Sequence, residues 1–221
     1  MLSEKGLCKI LKQAYKQGGY EVMPVTMADG GAGRWRRSEI VINGAAWAVR
    51  CQTVDLPKRA AVQIVEDAGY LPVEPMRVKK GEPNQMMLEE LAEQRQNALS
   101  VCEEDGEAMM RIPVIFKDRW QLYQAENGLV FAFDTELLGL IDFEGYKPQC
   151  WMLNGGALGL FEGPECAVYI APGRFSAADA EKIRHIAALD WENQQGGGDP
   201  AVNVSLFDAD EDVPMMGRDE E

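Results

Sequence analysis

The chain has 221 residues, 46% of them hydrophobic, and a formal net charge of −14 at pH 7. That is enough chain for one large domain or two small ones, and enough apolar content for a packed core. No run is long and apolar enough to span a membrane, and the lysine-studded first residues lack a signal-peptide core, so a cytoplasmic protein is expected.

The charge is unevenly spread. Residues 1–80 carry +5, residues 81–191 carry −11 and residues 192–221 carry −8. A basic first third on an acidic protein points to an anionic partner, or to packing of that third against the acidic remainder. The five cysteines, Cys8, Cys51, Cys102, Cys150 and Cys166, are scattered and form no C-x-x-C pair. They read as free thiols in a reducing compartment, not as a zinc site or a disulfide framework.

In chain order, a helix is expected over residues 2–17. Leu7, Ile10, Leu11 and Ala14 form its apolar stripe; Lys5, Lys9, Lys12 and Lys16 form a second, cationic one. Gly18 and Gly19 end it. A strand over 20–26 leads into a glycine-rich loop and then Arg34, Trp35, Arg36 and Arg37. Residues 39–49 read as a hairpin turning at Asn43-Gly44, whose residues accept the positive φ of a type I′ turn. A helix from about residue 55 to Ala68 follows, with Ala61, Ile64, Val65 and Ala68 as its buried face and Gly69 as its stop. Residues 1–75 thus form an α-β-β-β-α unit.

Residues 76–108 read as a linker holding one helix over 84–99, with Pro83 just before its start and Met87, Leu88, Leu91 and Leu99 as its apolar positions. Residues 109–191 read as a β-rich unit: a strand over 113–116, hairpins around Asn127-Gly128 and Asn154-Gly155-Gly156, and a strand over 166–171. Residues 134–140 suit either a short helix or a loop. A closing helix is expected over 176–191, opened by Ser176 and Asp179 in a capping-box arrangement, with Ile183, Ile186, Ala187 and Trp191 on its apolar side. Antiparallel hairpins with flanking helices make an α+β fold. Residues 192–221 are rich in acid, glycine and glutamine and read as a disordered tail.

Chemistry-bearing motifs are sparse. A single histidine, His185, excludes a multi-histidine metal site, and its helical position suits a surface role rather than one in a triad. Neither glycine-rich stretch matches a phosphate loop or a dinucleotide fingerprint. Asp208, Asp210 and Asp212 have calcium-loop spacing, but Val213 stands where that loop needs glycine. Asp134 with Glu136 and Asp142 with Glu144 could face one another in a folded pocket, though pairs this close in sequence are common by chance. No catalytic residue, metal ligand or cofactor follows from the sequence.

Two features suggest partners. Lys5, Lys9, Lys12 and Lys16 with Arg34, Trp35, Arg36 and Arg37 could contact phosphates, the tryptophan stacking on an unpaired base. In the tail, Asn203-Val204-Ser205-Leu206-Phe207 resembles the short peptide by which bacterial polymerases and repair factors bind the sliding clamp. Ser205, Leu206 and Phe207 match that peptide family, Val204 is acceptable, and Asn203 replaces the preferred glutamine. The resemblance covers these five residues and implies a protein partner at the tail. Three expectations compete: a small non-enzymatic accessory factor of DNA metabolism, one that a mobile element could encode; an acidic DNA mimic or inhibitor of a DNA-binding protein; and an enzyme with a carboxylate site.

Overall fold

The computed structural model describes residues 2–26, 38–101, 106–153 and 156–189. Helix α1 (Glu4–Gln17) begins where Ser3 Oγ accepts the Gly6 N–H at 3.1 Å. Leu7, Ile10 and Leu11 are buried and Ala14 packs beside them, as the stripe predicts. The helix ends at Gly18, and Gly19 follows at φ +83°. Its last carbonyls are met by the Gly19 N–H, which donates to Ala14, and by Arg77, whose Nη2 donates to the Gly18 oxygen at 2.9 Å.

Strands β1 (Tyr20–Thr26), β2 (Ser38–Asn43) and β3 (Trp47–Gln52) form an antiparallel meander. The hairpin stands, but its turn is displaced from the expected position. Asn43 pairs with Ala48 and the Gly44 N–H donates to the Trp47 carbonyl, so Ala45 and Ala46 are the central residues. Gly44 does not have positive φ. It is needed because a Cβ there would overlap the Trp47 indole.

A 3-10 turn at Thr53–Asp55 leads into α2 (Lys58–Ala68), which stops at Gly69 with φ +87°. Its buried face is rotated from the expected one: Ala60, Gln63, Ile64 and Ala68 are buried, whereas Val65 is exposed. A polar residue holds a core position here because Asp67 bonds to it. The expected linker contributes structure. Strands β4 (Met76–Val78) and β5 (Gln85–Met86) pair with each other, and β4 pairs with β1. Helix α3 (Glu89–Val101) therefore starts later than expected; Leu88 and Leu91 are exposed and Ala92 is buried.

The second half contains β6 (Glu107–Phe116), β7 (Trp120–Ala125), β8 (Val130–Asp134), the short helix α4 (Thr135–Leu138), β9 (Lys147–Leu153), β10 (Gly156–Glu162), β11 (Cys166–Ile170) and α5 (Ala177–Ala187). The β7–β8 hairpin turns through Glu126, Asn127 and Gly128, the last at φ +86°. The β9–β10 pairing is as expected, with its turn outside the described residues. Asp134 caps α4, accepting the Glu136 N–H at 2.9 Å. Ser176 caps α5 as expected; Ile183 and Ala187 are buried, while Trp191 lies outside the described residues.

The fold is α+β. Eleven strands form one sheet in the order β5-β4-β1-β2-β3-β11-β10-β9-β6-β7-β8. The β3–β11 ladder joins the strands of the two halves. One face carries Val22, Ile42, Val49, Val168, Phe161 and Phe131, and packs against α1, α2 and α4. The opposite face packs Met23 and Val41 against α3, and Leu122, Val130 and Ala132 against α5. The far end of the sheet curls. Phe133 reaches Phe161 with 5.5 Å between ring centroids, and Gly173, beyond β11, donates to the Ala132 carbonyl on the outer edge of β8 at 2.8 Å. The edge strand β8 is thereby covered and all five of its residues are buried.

Candidate binding groove between α1 and α2

The capped start of α1 is pressed against the end of α4. Ser3 N–H donates to the Leu140 carbonyl at 2.9 Å, Leu2 bridges to Ile141, and a Cβ on Gly6 would overlap the Gly139 carbonyl. With Leu7, Ile10 and Leu11 turned to the core, helical geometry turns the lysine stripe outward. Lys5, Lys9, Lys12 and Lys16 are all exposed.

Three of them line an open groove of about 530 Å³ between α1 and α2. Lys5, Lys9 and Lys12 form one wall with Glu4 and Cys8; Arg59, Val62, Gln63 and Glu66 form the other. Arg59 was not singled out in the sequence, because its place beside the stripe depends on how two helices pack. Lys9 is bonded across to Glu136 of α4 at 2.9 Å, and Arg59 to Glu4 at 3.3 Å. Both pairs are solvated and weak. Lys5, Lys12 and Lys16 make no ion pair among the described residues. Lys5 and Lys12 supply uncommitted positive charge inside the groove, and Lys16 extends the stripe beyond it.

Behind the groove lies a polar network. Asp67 accepts from the Tyr20 hydroxyl at 3.0 Å and from Gln63 Nε2 at 2.9 Å. Burial raises the Asp67 carboxyl above its ordinary range, against the lowering effect of those two donors. Burial, with the Asp67 charge beside it, raises the Tyr20 hydroxyl. Burial also raises the Cys8 thiol, with Glu4 adding to the effect. These directions favour the neutral thiol at Cys8.

The first carboxylate pair is engaged in ion pairs. Asp134 is buried and accepts from Arg119 Nε at 2.9 Å and Nη2 at 2.6 Å, while Glu136 holds Lys9. Asp142 and Glu144 are exposed. His185 is exposed on α5, its Nδ1 2.8 Å from the Glu181 carbonyl oxygen. Arg34, Trp35, Arg36 and Arg37, and the tail segment Asn203, Val204, Ser205, Leu206 and Phe207, lie outside the described residues.

A second, smaller groove of about 250 Å³ lies where β6 and β7 meet α4. Arg111 lines it, with its guanidinium 5.9 Å from the Phe143 ring centroid and Nη2 2.8 Å from Gln121 Oε1.

Comparison with protein-family models, with curated proteins and with solved structures gives no match for this chain.

Proposed function

We propose that the protein is a non-enzymatic accessory factor that binds the phosphates of single-stranded nucleic acid through the α1–α2 groove and docks a protein partner through its tail. The observation that carries the first half is the alignment of Lys5, Lys9, Lys12 and Lys16 on one exposed helix face. Three of these line a groove that Arg59 supplements from the second helix. Phosphate contact needs several cations along one track, and this face supplies them. The second half rests on the likeness of Asn203–Phe207 to clamp-binding peptides, which makes the sliding clamp the partner and DNA metabolism in the cytoplasm the setting. Among the described residues, no helix is long and apolar enough to cross a membrane.

The test uses the full chain and a labelled single-stranded oligonucleotide. Binding at low salt should weaken as salt rises, with a log–log slope of about −0.7 for each phosphate contacted. Changing Lys5, Lys12 and Lys16 together to Glu should lower affinity by at least about tenfold, since each removes a cation and adds a repulsive charge. Lys9 is left in place to keep its bond to Glu136. Binding that is absent at low salt, or indifferent to the triple change, would overturn the groove assignment. The tail is tested separately: Leu206→Ala with Phe207→Ala should abolish clamp binding and leave the melting temperature unchanged.

The charge of −11 over residues 81–191 supports a second reading, an acidic mimic that occupies a basic DNA-binding surface. That reading requires capture of a DNA-binding protein, competed away by DNA.

A further inference from the structure

Cys51 and Cys166 occupy directly opposite positions on β3 and β11. In this ladder the Ala171 N–H donates to the Ala46 carbonyl, at 2.9 Å, which makes Ala171 and Ala46 a hydrogen-bonded pair. Such pairs alternate along an antiparallel ladder. Counting back in the observed register, Tyr169–Ala48 and Ala167–Arg50 are hydrogen-bonded pairs, while Ile170–Trp47, Val168–Val49 and Cys166–Cys51 are not. Non-hydrogen-bonded pairs have Cα atoms about 4.5 Å apart, inside the roughly 4.4–6.8 Å that a disulfide spans. Both side chains point to the same face of the sheet, since Cys51 belongs to the main core cluster and Cys166 packs against it.

The two sulfurs differ in their surroundings. Cys51 is buried and Cys166 is half-buried. Tyr146 Oη lies 2.7 Å from Cys166 Sγ, and the backbone of Leu2 also bonds to that sulfur. Once Cys166 ionises, the hydroxyl and the N–H are both donors to the thiolate. For Cys51 no such donor is seen among the described residues; burial, with the Cys166 charge next in effect, pushes its thiol up to about 12. Burial raises the Cys166 thiol as well, against the lowering effect of Tyr146 and Leu2; what separates the two is that Cys166 is partly reachable from solvent and has donors at its sulfur, while Cys51 is buried behind it.

We propose that Cys166 and Cys51 are an oxidisable pair, Cys166 attacking hydrogen peroxide and Cys51 closing a cross-strand disulfide between β11 and β3. In the first step the Cys166 thiolate attacks one peroxide oxygen. The O–O bond breaks, a sulfenic acid forms, and the departing hydroxide becomes water by taking a proton. In the second step the Cys51 thiol gives up its proton as its sulfur attacks that of Cys166. The S–O bond breaks and a second water leaves. Two thiols are oxidised by two electrons in all and one hydrogen peroxide is reduced to two waters. The product staples the ladder that joins the two halves of the sheet.

The reduced full-length protein is treated with hydrogen peroxide, quenched, and mapped by mass spectrometry without reduction. We expect a peptide linking Cys51 to Cys166, a mass lower by two hydrogens, and a fall in titratable thiols of the denatured chain from five to three. Tyr146→Phe keeps the ring but removes the donor, and should slow linkage by at least about threefold. Cys51→Ser should leave a sulfenic acid on Cys166 that a 1,3-dione probe traps. Failure of Cys51 and Cys166 to link under peroxide that oxidises other cysteines or methionines would overturn the proposal. Linkage of either to a different cysteine would do the same. Trapping at Cys51 in Cys166→Ser, with none at Cys166 in Cys51→Ser, would overturn the assigned order of attack.

Discussion

Gly44 shows how a residue can be required for a reason other than the one its neighbours suggest. Asn-Gly is the usual signature of a type I′ turn, yet Gly44 sits one position before the turn proper and lacks positive φ. The indole of Trp47 fills the space where a Cβ would stand. Gly44→Val should therefore destabilise the protein by about 1 kcal/mol or more, through overpacking against a core side chain. Chemical denaturation of a double-mutant cycle separates the causes. In a Trp47→Ala background most of the penalty should vanish; a penalty that persists would return the cause to the backbone. Asp67 supports a second prediction at this scale. Its folded pKa is raised chiefly by burial. The native state therefore holds the proton more tightly than the unfolded chain does. The contribution to stability is complete below the ordinary aspartate range and is lost as pH rises through the folded value. Asp67→Asn removes this loss, so the variant should gain on the wild type as pH rises from about 3 to about 7. Urea unfolding at each pH measures it, and a difference that stays constant with pH would show that the carboxyl is not penalised.

Strand β6 shows what one element needs from another. Pro113 has no N–H for the ladder, and the β6–β7 register shifts between Arg111 and Ile115. The shift leaves backbone carbonyls without strand partners. Gln121, buried on β7, meets them: its Nε2 donates to the Ile112 oxygen at 2.5 Å and the Val114 oxygen at 3.1 Å. Its Oε1 in turn holds Arg111 beside the smaller groove. Gln121→Leu preserves bulk and removes the donor, so it should cost about 1–3 kcal/mol by leaving buried carbonyls unsatisfied. Equilibrium unfolding should show that loss, and full wild-type stability in the variant would mean that other groups satisfy those carbonyls. The neighbouring β6–β7 turn carried no glycine to announce it. Lys117 and Asp118 adopt φ of +51° and +55°, and Lys117 is tied to Asp179 at the start of α5 at 2.5 Å.

For the whole molecule, the controlling contact is the β3–β11 ladder. It sets two stretches that are far apart in sequence into one sheet, and the main core cluster draws residues from both, from Leu7 and Ile64 to Phe133 and Phe161. Unfolding one half would expose the other's apolar surface. A single cooperative transition is expected, in which tryptophan fluorescence from both halves and far-UV circular dichroism share one midpoint. Trp47 reports from the first half, Trp120 and Trp151 from the second. Two separated midpoints, or single-tryptophan variants melting apart, would show that the halves are independent.

The sequence alone was sufficient for the α+β class, for α1 with both of its stripes, for β1, and for the hairpins formed by β2 with β3, β7 with β8 and β9 with β10. These depend on local periodicity, on caps such as Ser176, and on glycines such as Gly69 and Gly128 that must take positive φ. The lysine stripe was legible for the same reason, since the apolar residues of one helix determine which side the others face. The groove was not legible. It required Arg59 and Glu66 to arrive from α2, and the face that α2 buries is decided by Asp67 binding Gln63 and Tyr20, partners that periodicity does not reveal. The short strand β4 and the edge strand β5 were also hidden, because segments of two or three residues become strands only when a neighbouring strand supplies their hydrogen bonds. The opposition of Cys51 and Cys166 belongs to the same class: their separation in sequence reveals nothing, and only the register of β3 against β11 brings the two sulfurs to one side of the sheet.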